Sequence, residues 1–175
     1  MNQTMTDMME RRSVRKFKPD PIDKELIEQI VNAGLYAANG RGKQATRIIA
    51  VTNKELRDEL AKDNQVIGGW KDGFDPFYGA PVVLIVLGDK ESATRVYDGS
   101  LVMGNLMLAA HTLGIGSCWV HRAKEAFEMD KYKALLAKLG IEGKFEGIGH
   151  CILGYPDGEA PQAAPRAENR VFYAE

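Results

Sequence analysis

Apolar and polar positions along this chain switch between two periods, and the switches outline its elements. A short helix is expected to start near Thr4 or Thr6, either of which can cap it, and to reach about Glu10. Leu26, Ile27, Ile30, Val31 and Ala33 share one face of a second helix, which starts at Asp23 and ends around Ala37. The glycine-rich run Asn39-Gly40-Arg41-Gly42-Lys43 follows it. Residues 47–52 (RIIAVT) predict a β-branched strand, and residues 54–62 a charged helix. Gly68-Gly69, Gly73 and Pro76 make residues 63–79 read as a loop. Residues 81–87 (PVVLIVL) are apolar throughout, as in a strand buried on both faces. Residues 97–113 are apolar on nearly every side and predict a helix buried all round, with Gly114 placed to end it. Residues 116–121 (GSCWVH) predict a strand, 124–139 an amphipathic helix stopped by Gly140, and 146–155 a last strand.

Helices interleaved with strands define an α/β or α+β domain, and 175 residues suit a single one spanning 1–175. Residues 156–175 are too polar to form a core of their own. Val171-Phe172-Tyr173 could dock on a second subunit, which would also cover the outer side of the helix at 97–113. A homodimer with a wrapping C-terminal arm is therefore expected. Gly114-Ile115-Gly116 lacks the third glycine and the helix of a dinucleotide fingerprint, so a nucleotide cofactor would bind by another geometry.

Composition narrows the function classes. Apolar residues make up 45% and charged residues 27%, the mix of an ordinary globular protein. The net charge of -1 and the lack of a wide basic stripe argue against nucleic acid as a partner. No apolar run approaches the ~18 residues of a membrane span, and residues 1–10 lack the apolar region of a signal peptide. Arg11-Arg12-Ser13 resembles a twin-arginine export signal, but Lys16-Phe17-Lys18-Pro19 stands where that signal needs an apolar stretch. Cys118 and Cys151 have no CxxC or CxxH neighbour, so zinc is not expected. Two free, core-like thiols suit a reduced cytoplasmic protein.

Three segments carry candidate chemistry. Arg11, Arg12 and Arg15 lie within five residues, with Ser13 among them. Guanidinium groups bind phosphate through paired, charge-assisted hydrogen bonds, and the hydroxyl adds a donor; a solvated basic turn is the alternative. Ala38, Asn39, Gly40 and Gln44 form a small-residue turn whose backbone could approach a flat ligand, or simply a mobile surface turn. Trp119, Val120 and His121 end a strand whose backbone could lie against a ring system, although such residues are commonly structural.

Together these segments resemble the FMN-dependent nitroreductase family across nearly the whole chain. RRSVRKF is similar to its opening motif, and the "I-x-x-I-V-x-A-G-x-x-A-A" pattern to its next helix. Gly79-Ala80-Pro81-Val82-Val83, Asn105 to Ala110, Gly114 to Trp119, and Gly154-Tyr155-Pro156 resemble the segments that follow. The resemblance implies an α+β fold with a central mixed sheet, and an intertwined dimer holding two FMN at its interface. It implies Arg11 and Ser13, with Arg12 beside them, on the phosphate and ribityl chain, Arg15 near the pyrimidine edge, and Arg166 reaching the phosphate from the tail. It places Ala38, Asn39, Gly40 and Gln44 along one subunit's side of the cofactor, backbone of Trp119, Val120 and His121 near N5, and Asp98 facing the site. NADH or NADPH would reduce the flavin, and a nitroaromatic, quinone or second flavin would be the electron acceptor. Other chemistry on the same cofactor, such as enone reduction or dehalogenation, or non-catalytic flavin binding, are the alternatives. Residues 63–78, with Trp70, Phe74, Phe77 and Tyr78, either cover the flavin or pack.

Overall fold

The computed structural model describes residues 1–159 and 161–175. Its frame is a four-stranded sheet with helices on both faces, the α+β fold expected. The strands are β1 (Thr46–Val51), β2 (Val82–Asp89), β3 (Gly116–Val120) and β4 (Phe145–Gly154), in the order β1-β2-β4-β3. Every ladder between them is antiparallel. The parallel component expected of a mixed sheet is confined to a bridge between Ser13 and Ser117. β2 is central, and Val82 to Gly88 are all buried, which is why that segment is apolar without alternation.

The helices divide between the two faces. On one face α2 (Lys24–Leu35) and α4 (Arg95–Thr112) cover Val82, Leu84, Val86, Cys151 and Leu153. The two helices pack closely at Gly34, where a Cβ would stand 2.6 Å from the Leu106 side chain. On the other face α3 (Lys54–Gly68), α5 (Ala123–Ala126) and α6 (Asp130–Lys138) cover Val83, Ile85, Leu87, Cys118, Val120 and Ile152. The two cysteines are free and buried as expected, but they belong to opposite faces. α1 (Gln3–Glu10) lies outside these layers with no buried residue.

Several boundaries differ from the sequence reading. Asn2, not Thr4 or Thr6, caps α1, its side chain accepting from the Met5 N–H. α2 stops at Leu35, two residues early, because the Tyr36 N–H already bonds back three residues, to the Ala33 carbonyl. α3 runs six residues past its expected end. Asn64 and Gln65 are buried there and hold tertiary partners, and left-handed Gly69 ends the helix. The helix expected over 124–139 is broken in two, since Met129 is extended and Phe127 stacks on Tyr132 across the break. α4 is buried on one side alone: Val96, Tyr97 and Leu101 are 45%, 73% and 50% exposed in the single chain. No helix among the described residues is long and apolar enough to cross a membrane.

Candidate functional site

β3 is an edge strand, and its free edge is taken by the arginine segment. The Val14 N–H donates to the Ser117 carbonyl at 2.9 Å, and Ser13 bridges Ser117 in parallel. Gly116 makes the approach possible, because a Cβ there would meet Val14 at 3.0 Å. Phe17 then pairs with Pro156, and the Lys18 N–H reaches the Tyr155 carbonyl at 2.9 Å. Residues 11–18 are thus held between the start of β3 and the end of β4.

Within this segment the guanidinium groups are unequally occupied. Arg12 turns one Nη back onto the carbonyls of Met9 and Arg11, at 2.6 and 2.7 Å. Its Nε and the Nη1 of Arg11 are buried and have no partner among the described residues. Buried donors without acceptors are costly, so these two atoms fit an anionic group lying on the segment. Arg15 is exposed beside them. Arg166 lies on the exposed tail, its Nη2 bonded to the Ala164 carbonyl at 2.6 Å, with no hydrogen bond to this segment among the described residues.

The end of β3 borders a cavity of about 580 Å³ lined by Val96, Ser100, Trp119, His121, Lys124 and Gly147 among others. That volume lies in the range of small-molecule sites. Trp119 and His121 present neighbouring rings, with centroids 5.7 Å apart. The Trp119 Nε1 is buried and unpartnered, while His121 and Arg122 are exposed at the rim. Val120 points into the core. Glu146, 7% exposed, is held by Arg95 at 2.8 Å and by Lys124, and these cations keep its carboxyl below the usual range against the opposing effect of burial.

The turn at 38–44 is tied down by hydrogen bonds. The Asn39 side-chain oxygen accepts the Gln44 N–H at 2.8 Å, and the Gly40 N–H donates to Asp98 at 2.9 Å. The Thr94 hydroxyl donates to the other oxygen of Asp98, at 2.8 Å. Asp98 is buried, and it ties the turn to the first turn of α4. Ala38 and Gln44 stay exposed, and Gln44 takes a left-handed φ of 50°. Asn39 and Gln44 also line a second cavity, of about 340 Å³.

The sheet register shows how these groups stand to one another. Gly116 faces Gly154, Leu153 faces Val82, and Val83 faces Val51. The arginine segment therefore lies at the end of the sheet where β1 finishes, against the opposite edge strand. The 38–44 turn lies where β1 begins. Three inter-strand spacings, ~14 Å, and the length of β1 separate the two. A single chain brings Arg11, Arg12, Ser13, Arg15, Trp119, Val120 and His121 to one edge of the sheet and leaves Ala38, Asn39, Gly40 and Gln44 at the opposite corner.

Two features escaped the sequence reading. One is Asn64, on a stretch expected to be loop, whose side chain reaches the His121 carbonyl. The other is Arg122, a non-glycine residue at φ 81° directly after the strand. Neither has a local pattern that would mark it. Among the described residues no group of three or more His, Cys, Asp or Glu side chains could hold a metal ion.

This fold and donor set define a class with known members. A family model described as the nitroreductase family matches residues 8–67 and 69–160. The chain belongs to that family. It is 31% identical over 113 residues to a protein from Methanothermobacter thermautotrophicus named as a putative NADH dehydrogenase/NAD(P)H nitroreductase, covering 62% of this chain and 56% of that protein, so it spans little more than half the length of that relative. It is 29% identical over 185 residues to the NADPH-flavin oxidoreductase of Vibrio harveyi, covering all of this chain and 74% of the relative. Among solved structures, a nitroreductase with bound FMN from Desulfitobacterium hafniense superposes with a TM-score of 0.88 over the whole of both chains, at 28% identity.

Proposed function

We propose that this protein is an FMN-dependent oxidoreductase that takes electrons from NADH or NADPH and passes them to a small organic acceptor. The observation that carries the reading is the pair of buried, unpartnered guanidinium atoms on Arg11 and Arg12, in a segment clamped to the edge of β3. Family membership and the FMN-bearing and flavin-reducing relatives support it. FMN, when bound, supplies the two-electron redox chemistry, which the protein binds, orients and tunes.

The chain's own residues have distinct tasks. Arg11, Arg12 and Ser13 bind the phosphate and ribityl end. Arg15 sets a positive charge toward the pyrimidine edge, where reduction adds negative charge. Trp119, Val120 and His121 present backbone to the ring system. The cavity beside them, lined by Val96 and Ser100, has room for the nicotinamide and the acceptor in turn.

The working unit is a homodimer. Since the 38–44 turn and the arginine segment lie at opposite corners of one sheet, both can line one flavin only if a second copy supplies the turn. The exposed Val96, Tyr97 and Leu101 of α4, with Met5, Met8 and Met9 of α1, offer the apolar surface for that contact. Arg166 reaches the phosphate of the partner's site on the C-terminal arm. The free, buried thiols of Cys118 and Cys151 suit a reducing compartment such as the cytoplasm.

The purified protein should be yellow, and heat should release a flavin that chromatographs as FMN. Anaerobic NADH or NADPH should bleach it within one turnover time. A colourless protein that takes up no added FMN would refute the reading, and a yellow protein that neither nucleotide bleaches would leave it a flavin binder without this activity.

A further inference from the structure

Behind the cavity wall, on the face of the sheet covered by α3, lie two buried polar side chains, Asn64 and His150, that the proposed function does not use. Asn64 and His150 are both 0% exposed. The Asn64 Nδ2 donates to the His121 carbonyl at 3.0 Å, which fixes the amide's orientation, since only its nitrogen can donate to a carbonyl. The Asn64 Oδ1 and both ring nitrogens of His150 have no partner among the described residues. The His150 ring lies 5.2 Å from that of Phe77, tilted by 57°, and stands beside the Val120 and His121 backbone. The bond between Asn64 and His121 therefore acts in a dry, low-dielectric setting, where it is stronger than at the surface.

The consequence follows from peptide geometry. A trans peptide points its C=O and N–H in opposite directions, and no peptide bond among the described residues is cis. With the His121 carbonyl turned inward to Asn64, the Arg122 N–H is turned away from Asn64. That N–H finds no acceptor among the described residues. Arg122 lines the cavity, and its φ of 81° is one that a side chain rarely adopts unaided.

We propose that Asn64 is a positioning residue for the cofactor site: by holding the His121 carbonyl from behind the sheet, it keeps the Arg122 N–H turned outward, at the edge of the cavity, as a hydrogen-bond donor to the flavin. The role rests on the FMN reading above. It is also distinct from simple packing, because it ties the affinity and potential of the flavin to a residue with no path to the ligand.

The test compares full-length wild type with Asn64→Leu, Asn64→Asp and Asp63→Asn. Asn64→Asp keeps the shape of the side chain but sets an acceptor against the carbonyl. Asp63, one position earlier on α3, serves Tyr132 and Lys131 instead. Three quantities are measured: the FMN dissociation constant of the stripped protein by fluorescence titration, the midpoint potential of the loaded protein, and the melting temperature of the stripped protein. Both Asn64 variants should weaken FMN binding about tenfold, the value of one hydrogen bond, and shift the potential. Asp63→Asn should lower the melting temperature and leave affinity and potential unchanged. Asn64 variants that melt earlier yet bind FMN with wild-type affinity and potential would overturn the proposal. If Asn64→Leu does not fold, the isosteric Asn64→Asp decides alone. A wild-type protein that binds no FMN would remove the proposed function itself and this role with it, a result distinct from equal binding by all variants.

Discussion

At the scale of single residues, burial decides which side chains matter. Arg11 keeps a buried donor without an acceptor, so its replacement should be felt by a ligand more than by the fold. Arg11→Ala is expected to weaken FMN binding about tenfold or more, since a charge-assisted hydrogen bond contributes roughly 1.5–3 kcal/mol. Titration of the stripped protein with FMN measures it, and an unchanged dissociation constant would take Arg11 out of the site. His150 acts on the fold instead. Burial lowers its pKa from 6.5 to about 4, partly offset by neighbouring backbone carbonyls. Between those two values the unfolded chain carries the extra proton, so stability rises with pH there. The contribution is complete above about 6.5 and lost as pH falls toward 4, by roughly 3 kcal/mol at most. Urea unfolding of wild type should show that slope, and His150→Gln should flatten it; parallel pH profiles would show that His150 does not cause it.

At the scale of elements, the sharpest constraint is where backbone meets backbone. A Cβ on Gly147 would stand 2.1 Å from the Ala123 carbonyl oxygen, which belongs to the start of α5 and cannot swing aside as a side chain would. Gly147→Ala should therefore destabilise the protein by about 1–3 kcal/mol and disturb the adjoining cavity wall. A variant that melts with wild type would mean that α5 shifts freely. The same elements show what the sequence makes legible. Strands β2 and β4 and helix α4 were readable because long apolar runs and Gly114 left few alternatives. The end of α3 was not, because Asn64 and Gln65 look like surface residues until tertiary partners bury them. The break between α5 and α6 was hidden as well, since an amphipathic period continues across Met129 while the backbone does not. For the site, the arginine segment and the end of β3 were legible as chemistry, whereas their distance from the 38–44 turn exists only in the sheet register.

At the scale of the whole molecule, the proposed function makes assembly part of the site. The protein is expected to sediment as a dimer at micromolar concentration, with an interface above ~2,000 Å² if it covers α4 and the arm. Deleting the chain from Pro161 onward should loosen the dimer and lower FMN occupancy, in part through Arg166. An intact protein that sediments as a clean monomer, or a truncated one that stays dimeric and fully yellow, would contradict this. One earlier contact extends the point from space to time. The arginine segment is made near the start of synthesis, but it is anchored by Ser117, Tyr155 and Pro156, which come from the last third of the chain. On a ribosome adding roughly 5–20 residues per second, the early segment must wait undocked for several seconds while β3 and β4 are made. On this reading a nascent chain offers its cofactor no seat until β3 and β4 have been made, and flavin loading waits for both strands.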